Sequence, residues 1–243
     1  MPPASVLAVI PARYASTRFP GKPLAILWGK PLLQHVWERA REIEGVDAVI
    51  VATDDDRIAN AARALEADVA MTSPDHASGT DRVAEVARAH EEAQIVVNLQ
   101  GDEPELDAGA VATMIAGMRA DPDVVMATLA HAESGAEFLA SPNVVKVGVD
   151  VDGFAAYFRR SGSASGGVQG PPLRHIGVYG FQRAFLLDFA SWPPGEAEQR
   201  ERLEQLRAVE RGVRIRVFET THAFAGVDTP EQLEALERRG PKS

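Results

Sequence analysis

Cysteine is absent from the 243 residues, which excludes disulfides and thiolate metal sites and leaves a reducing, cytoplasmic setting as the default expectation. No run of 18 apolar residues occurs, so no membrane span is expected. The start, Met-Pro-Pro-Ala-Ser-Val, lacks the charged and apolar regions of a secretory signal, and none is expected. Positive charge is also short: 25 Lys and Arg face 35 Asp and Glu, a net charge of −10 that argues against general nucleic-acid binding. There is no internal repeat, and low-complexity sequence is confined to Ser161–Gly170. What remains is a chain that is 45% apolar, enough for one large or two modest domains.

Within this acidic chain one stretch is basic. Leu7–Ile10 is an apolar run of the kind that forms a buried strand, and it is followed by a loop carrying Arg13, Arg18 and Lys22 among Pro11, Pro20, Gly21 and Pro23. Open α/β sheets bind ligands at the carboxyl ends of their strands, where this loop would lie. A strongly anionic ligand such as a triphosphate suits it, and a merely solvated basic loop remains the other reading.

Periodicity predicts a helix over Pro31–Ile43, a strand over Ala48–Thr53, a helix over Arg57–Glu66 and a short strand over Val69–Thr72. A polar loop, Ser73–Arg82, leads to a helix over Val83–Glu92, then a strand over Gln94–Leu99, a helix over Ala108–Met118 and a strand over Val124–Leu129. This alternation predicts an α/β fold, a Rossmann-like, mostly parallel sheet with helices on both faces. The second half predicts a smaller inserted β-rich subdomain: a hairpin over Val144–Val151 and Ala155–Phe158 turning at Asp152-Gly153, and a strand over His175–Phe181. A charged helix over Glu196–Arg211, a strand over Val213–Phe218 and a last helix over Pro230–Arg239 complete it. The expected division of this single domain, 1–243, is a nucleotide-binding core over 1–135, an insertion over 136–220 and a return to the core over 221–243.

Acidic residues sit at predicted strand ends: Asp54–Asp56, Asp102-Glu103 and Asp228. Mg²⁺ prefers one or two carboxylates with waters and phosphate oxygens, and Asp102 and Asp228 could meet over a phosphate. Asp228 is equally placed to cap the last helix and do nothing more.

The stretch Ile10–Leu24 (IPARYASTRFPGKPL) resembles the loop of CTP-dependent sugar-acid cytidylyltransferases, the 3-deoxy-manno-octulosonate cytidylyltransferase family of nucleotidyltransferases. The resemblance continues, in order, through Val51–Asp54, Asp75–Arg82 (DHASGTDR), Val97–Pro104 (VNLQGDEP), His175–Gly180, Leu203–Arg207 and Gly226–Pro230. It implies a glycosyltransferase-A-like fold and attack by an acceptor oxygen on the α-phosphorus of CTP, with pyrophosphate released. Arg13, Lys22 and Asp102 are the implied catalytic residues, and Pro11, Ala12, Arg13, Lys22, Ser78, Gly79 and Gln100 the implied nucleotide contacts. Asp102 and Asp228 are the implied Mg²⁺ carboxylates, and Arg160, His175, Tyr179, Glu204 and Gln205 the implied acceptor contacts. Other readings stand beside these: Arg160 as a surface charge, His175 as a satisfied core histidine, Glu204 as part of a solvated helix face. A homodimer is expected by the same analogy, with Phe181, Phe185 and Trp192 as interface or as ordinary core.

One stretch departs from the family. After Arg160, Gly162–Pro172 is Ser/Gly-rich where relatives carry a longer proline-containing segment. Two acceptors are therefore open, a 3-deoxy-manno-octulosonate-like sugar acid or a small phosphonate such as phosphonoformate. A third reading, of another class, is a nucleotide-binding protein without catalysis.

Overall fold

The computed structural model describes residues 5–15, 18–160, 168–222 and 226–241. Its first strand, β1 (Val6–Ala12), is buried along almost its whole length, which is why it reads as a continuous apolar run rather than an alternating one. A single 3₁₀ turn (Lys22–Leu24) and a small hairpin, β2 (Ile26–Leu27) and β3 (Lys30–Pro31), lead to α1 (Leu32–Arg41). β4 (Ala48–Thr53), α2 (Asp56–Ala64), β5 (Asp68–Met71), α3 (Gly79–Ala89), β6 (Ile95–Asn98), α4 (Ala108–Ala120) and β7 (Met126–His131) then alternate as expected.

The remainder comprises α5 (Ala136–Ala140), the hairpin β8 (Lys146–Val149) and β9 (Ala155–Arg159), the long β10 (Leu173–Gln182), and α6 (Arg183–Ser191). α7 (Glu196–Glu201), α8 (Leu206–Val209), β11 (Arg216–Thr220) and α9 (Pro230–Arg239) close the chain.

The main sheet runs β11-β7-β10-β6-β1-β4-β5, with β8 and β9 continuing from β10. β6, β1, β4 and β5 are mutually parallel, and β11 is parallel to β7; β10 runs antiparallel between β6 and β7. One apolar layer gathers Val36, Ile58, Val111 and Met114 under α1, α2 and α4, and the other gathers Val83, Val86, Leu186 and Phe189 under α3 and α6. Helices thus cover both faces, and the mostly parallel sheet is as predicted.

Several elements differ from the sequence reading. The stretch 136–220 is not a separate insertion, because β10 sits in the middle of the main sheet and β11 at its edge. α6 was not anticipated: its outward stripe, Ala184, Asp188 and Ser191, carries a single charge, and the helix packs against β10 and α3. The helix expected over Glu196–Arg211 is broken at Arg202, whose left-handed φ of 55° ends α7. α3 starts at Gly79, earlier than expected, because Ser78 and Asp81 form a reciprocal capping box. Phe181 is buried and belongs to the core, while Phe185 and Trp192 are half-buried and pack with Phe189 in one aromatic cluster.

Gly117 on α4 lies directly under the Phe218 ring of β11, and a Cβ there would overlap the ring. The substitution Gly117→Ala is expected to destabilise by about 1–3 kcal/mol despite alanine's better helix propensity. Urea denaturation should show the loss, and Phe218→Ala in the same chain should recover part of it.

Candidate functional site

The carboxyl ends of β1, β5 and β6 open on one edge of the sheet, and the segments leaving them line a cleft of about 230 Å³. Pro11, Ala12, Arg13, Arg18 and Lys22 come from the first loop; Ser78, Gly79 and Arg82 from the start of α3; Gln100, Gly101 and Asp102 from the end of β6; Asp228 from the turn before α9. Nine of the predicted residues are therefore gathered at one place. Gly101 permits the approach of two of these segments, because a Cβ there would lie 3.2 Å from the Pro11 carbonyl oxygen.

The charges meet at Lys22. Its ammonium donates to Asp102 Oδ2 at 2.5 Å and to Asp228 Oδ1 at 3.5 Å. Arg18 grips the same Asp228 with both terminal nitrogens, at 3.0 and 3.3 Å. Asp228 is not the helix cap: Thr229 caps α9 in a box with Gln232, which leaves the Asp228 carboxylate free to face the cleft. The turn is held in place by Val227 N–H donating to the Asp102 carbonyl at 2.9 Å. Arg13 is exposed at the rim.

The acidic run Asp54–Asp56 is structural. Asp54 lies 3.2 Å from buried Arg82, and Asp55 caps α2. Arg82 also donates to the Thr72 hydroxyl.

Ser78 is tied up by protein groups. Its hydroxyl accepts from Asp81 N–H at 3.1 Å and donates to Glu204 Oε1 at 2.8 Å. Thr80 donates to the other Glu204 oxygen at 2.5 Å, and Asn98 Nδ2 donates to Thr80 at 3.3 Å. Glu204 is thus no solvated helix face; desolvation raises its pKa, while the Thr80 and Ser78 hydroxyls pull it back. A second hollow of about 290 Å³ shares Ser78 with the cleft and is lined by Arg202, Leu203 and Glu204. Gln205 is buried beside it, its Nε2 without a partner.

His175 and Tyr179 lie on β10 with ring centroids 5.5 Å apart, and Phe158 meets His175 edge-on. Between Ile176 and Tyr179 the pairing with β7 slips, and Thr128 fills the irregularity: its hydroxyl lies 2.8 Å from the Val178 carbonyl and 3.0 Å from His175 Nε2. With the hydroxyl proton on that carbonyl, Nε2 carries the imidazole proton. Gln100 packs over Gly177, joining this strand to the cleft. Arg160 is placed differently from the rest. Its guanidinium donates to the carbonyls of Glu201 at 3.1 Å and of Pro142 and Arg202 at 3.5 Å, so it braces the end of α7 and is not a free surface charge.

The implied site residues left out Arg18, Thr80, Arg82 and Glu103, although Arg18 was read as part of the basic loop. All four stood inside the quoted motifs, so position was the available signal. Glu103 was otherwise visible only as an acid at a strand end: its Oε2 is buried without a partner, and desolvation, then Asp102 and Asp228, push its pKa up to about 8. It keeps its proton at neutral pH, and its charge is withheld from the cluster. Among the described residues no group of three or more acidic or histidine side chains could hold a metal, and two carboxylates, Asp102 and Asp228, meet around Lys22. A larger cavity of about 580 Å³, between Trp28, His35 and Asp107, contains none of the predicted residues. No helix among the described residues is long and apolar enough to cross a membrane.

A family model described as cytidylyltransferase matches residues 7–215. The 3-deoxy-manno-octulosonate cytidylyltransferase of Solibacter usitatus is 48% identical over 239 residues, covering 97% of this chain and 94% of that protein. Its counterpart in Geobacter sulfurreducens is also 48% identical, covering 96% and 98%. Among solved structures, CMP:2-keto-3-deoxy-manno-octonic acid synthetase complexed with CTP superimposes with a TM-score of 0.90 at 45% identity, covering 97% of this chain and 98% of that one. The 4-diphosphocytidyl-2C-methyl-D-erythritol synthase of Anaerococcus prevotii, at 11% identity and a TM-score of 0.65, shares the fold.

Desolvation pushes the His175 imidazole down from 6.5 to about 3. The unfolded chain takes up this proton near its ordinary pKa and the folded chain does not, so stability is kept above that value and lost as pH falls toward about 3, by up to about 1.4 kcal/mol per pH unit. Urea midpoints measured from neutral to mildly acid pH should fall more steeply for the native chain than for His175→Gln.

Proposed function

The chain belongs to the cytidylyltransferase family, and we propose that it transfers the cytidylyl group of CTP to 3-deoxy-manno-octulosonate with release of pyrophosphate. The observation that carries this reading is the cationic first loop, Arg13, Arg18 and Lys22, facing Asp102 and Asp228 at the carboxyl edge of a parallel sheet. The acceptor oxygen forms the new bond to the α-phosphorus as the bond to the bridging oxygen breaks and pyrophosphate leaves. Such a transfer needs in-line positioning and neutralisation of the charge developing on the leaving group. Lys22 and Arg13 supply that charge, and Pro11, Ala12, Gly79 and Gln100 line the space for the nucleoside. With both functions of its hydroxyl engaged, Ser78 meets the nucleotide through its backbone.

The phosphonate acceptor is not supported. The relatives above match over nearly their whole lengths and are named for the sugar acid. The Ser/Gly-rich stretch that motivated it lies, for 161–167, outside the described residues. Intact Lys22, Asp102 and Asp228 in mutual contact likewise disfavour a non-catalytic nucleotide-binding protein. His175, Tyr179, Glu204 and Gln205 are the proposed acceptor contacts. Arg160 joins them only by exchanging its carbonyl partners for the acceptor carboxylate.

Mg²⁺ belongs to the same proposal. Asp102 and Asp228 share one ammonium, and a pair of carboxylates close enough to share a cation suits an ion that completes its shell with water and phosphate oxygens. When bound there it would neutralise phosphate charge. A homodimer in the cytoplasm is likewise proposed, with light scattering as the test of the dimer.

With CTP and 3-deoxy-manno-octulosonate the protein should release pyrophosphate, and chelation of divalent cations should abolish the release. The substitutions Lys22→Ala and Asp102→Asn should each lower kcat by about 100-fold or more. Turnover unchanged in either variant, or release with phosphonoformate alone, would overturn the reading. Removing one Glu204 partner with Thr80→Val should raise KM for the acceptor about 5- to 30-fold and leave KM for CTP unchanged, as separate steady-state titrations will reveal.

A further inference from the structure

The cationic loop is held from outside the cleft. Gly21 N–H donates to the Tyr14 carbonyl at 2.9 Å, closing the loop one residue before Lys22. The Tyr14 ring then lies against Gly21: a Cβ on Gly21 would stand 3.0 Å from the ring carbons Cε2 and Cζ, and the glycine's φ of 72° makes the same demand for a missing side chain. The ring also carries Arg57, whose guanidinium carbon is 3.3 Å from the ring centroid.

Arg57 is itself fixed. Asp55 takes its backbone N–H at 2.9 Å, its Nε at 3.0 Å and a terminal nitrogen at 2.6 Å. Asp55 N–H in turn donates to Thr53 Oγ1 at 3.2 Å, and Thr53 is the last residue of β4, paired with Ala12 at the end of β1. A guanidinium locked in its plane by a carboxylate is a flat cationic plate, and a tyrosine face is what such a plate attracts.

We propose that Tyr14 and Arg57 form a clamp that sets the position of the triphosphate-binding loop, acting through Gly21 on Lys22. Both are positioning residues. The chain of contacts runs from the end of β4 through Asp55 and Arg57 to the Tyr14 ring, then through the Gly21 backbone to the ammonium that Asp102 receives at 2.5 Å. Arg13, Arg18 and Lys22 repel one another; Asp228 and Asp102 hold Arg18 and Lys22 on the cleft side, and the Tyr14–Arg57 contact fixes the start of the loop from the other side. Fixing it in advance removes an ordering cost from nucleotide binding. Phe19, packed against the apolar patch of Leu27 and Val227, anchors the other side of the loop.

This rests on the reading of the loop as the triphosphate contact, and the experiment separates the two. CTP binding is measured by calorimetry without acceptor, pyrophosphate release with both substrates, and Tm for each variant. Tyr14→Leu and Arg57→Ala should each weaken CTP binding and raise its KM about 5- to 10-fold, with KM for the sugar acid unchanged. Their double variant should be no worse than the poorer single one, because both break the same contact. Tyr14→Phe, which keeps the ring face, should stay within about twofold of the native chain. Arg57 is a surface residue, so its variant decides the matter should Tyr14→Leu lose Tm. Native-like CTP binding in Arg57→Ala, equal damage from Tyr14→Phe and Tyr14→Leu, or additive losses in the double variant would overturn the clamp. A native chain that neither binds CTP nor releases pyrophosphate would overturn the functional reading instead.

Discussion

One ammonium organises the cleft. Lys22 reaches Asp102, 80 residues away, and Asp228, 206 residues away, so the first loop, the end of β6 and the turn before α9 converge on a single charge. Two carboxylates brought this close repel strongly in a half-shielded site, and the lysine offsets that repulsion. The same contact disposes of the neighbouring charges. Arg18 completes Asp228, while Arg13 is left at the rim. An acidic protein can therefore hold a local cationic lip without a basic surface.

The proposed donor and acceptor sides are not independent of one another. The N-terminus of α3 faces the cleft through its backbone, while the hydroxyls of Ser78 and Thr80 on the same turn hold Glu204. Gln100, on the nucleotide side, packs over Gly177 of the strand that carries His175 and Tyr179. The side chains of both proposed sides are thus referenced to one sheet edge, which suits a reaction that depends on alignment more than on covalent help.

Much of this was legible in the residues. β1, β4 and β6 are buried on both faces, so their apolar runs are unambiguous, and α1 shows its inward face as Leu32, Leu33, Val36, Trp37 and Ala40. Lys22, Asp102 and Asp228 stood out because charges interrupt apolar or glycine-rich stretches at strand ends. What stayed hidden depends on tertiary packing. α6 is short and its outward face carries only Asp188 and Ser191 as polar residues, and the break at Arg202 follows from how Leu203 and Arg207 pack, with Arg207 paired to Glu198. The capping box at Ser78 was readable, yet the polar composition of the stretch read as loop. The engagement of Arg160 with backbone carbonyls and of Tyr14 with Arg57 has no local signal at all, because the partners are fixed only when the sheet assembles.

β10 has a consequence for how such a protein can change. It lies between β6 and β7, antiparallel to both, and it also carries His175 and Tyr179, the proposed acceptor contacts. A loop can be exchanged or lengthened without touching the frame, but this strand cannot. Drift in acceptor preference is therefore channelled into the segments that pack over the strand, and recombination of 136–220 as a cassette would carry away a rung of the scaffold along with the pocket.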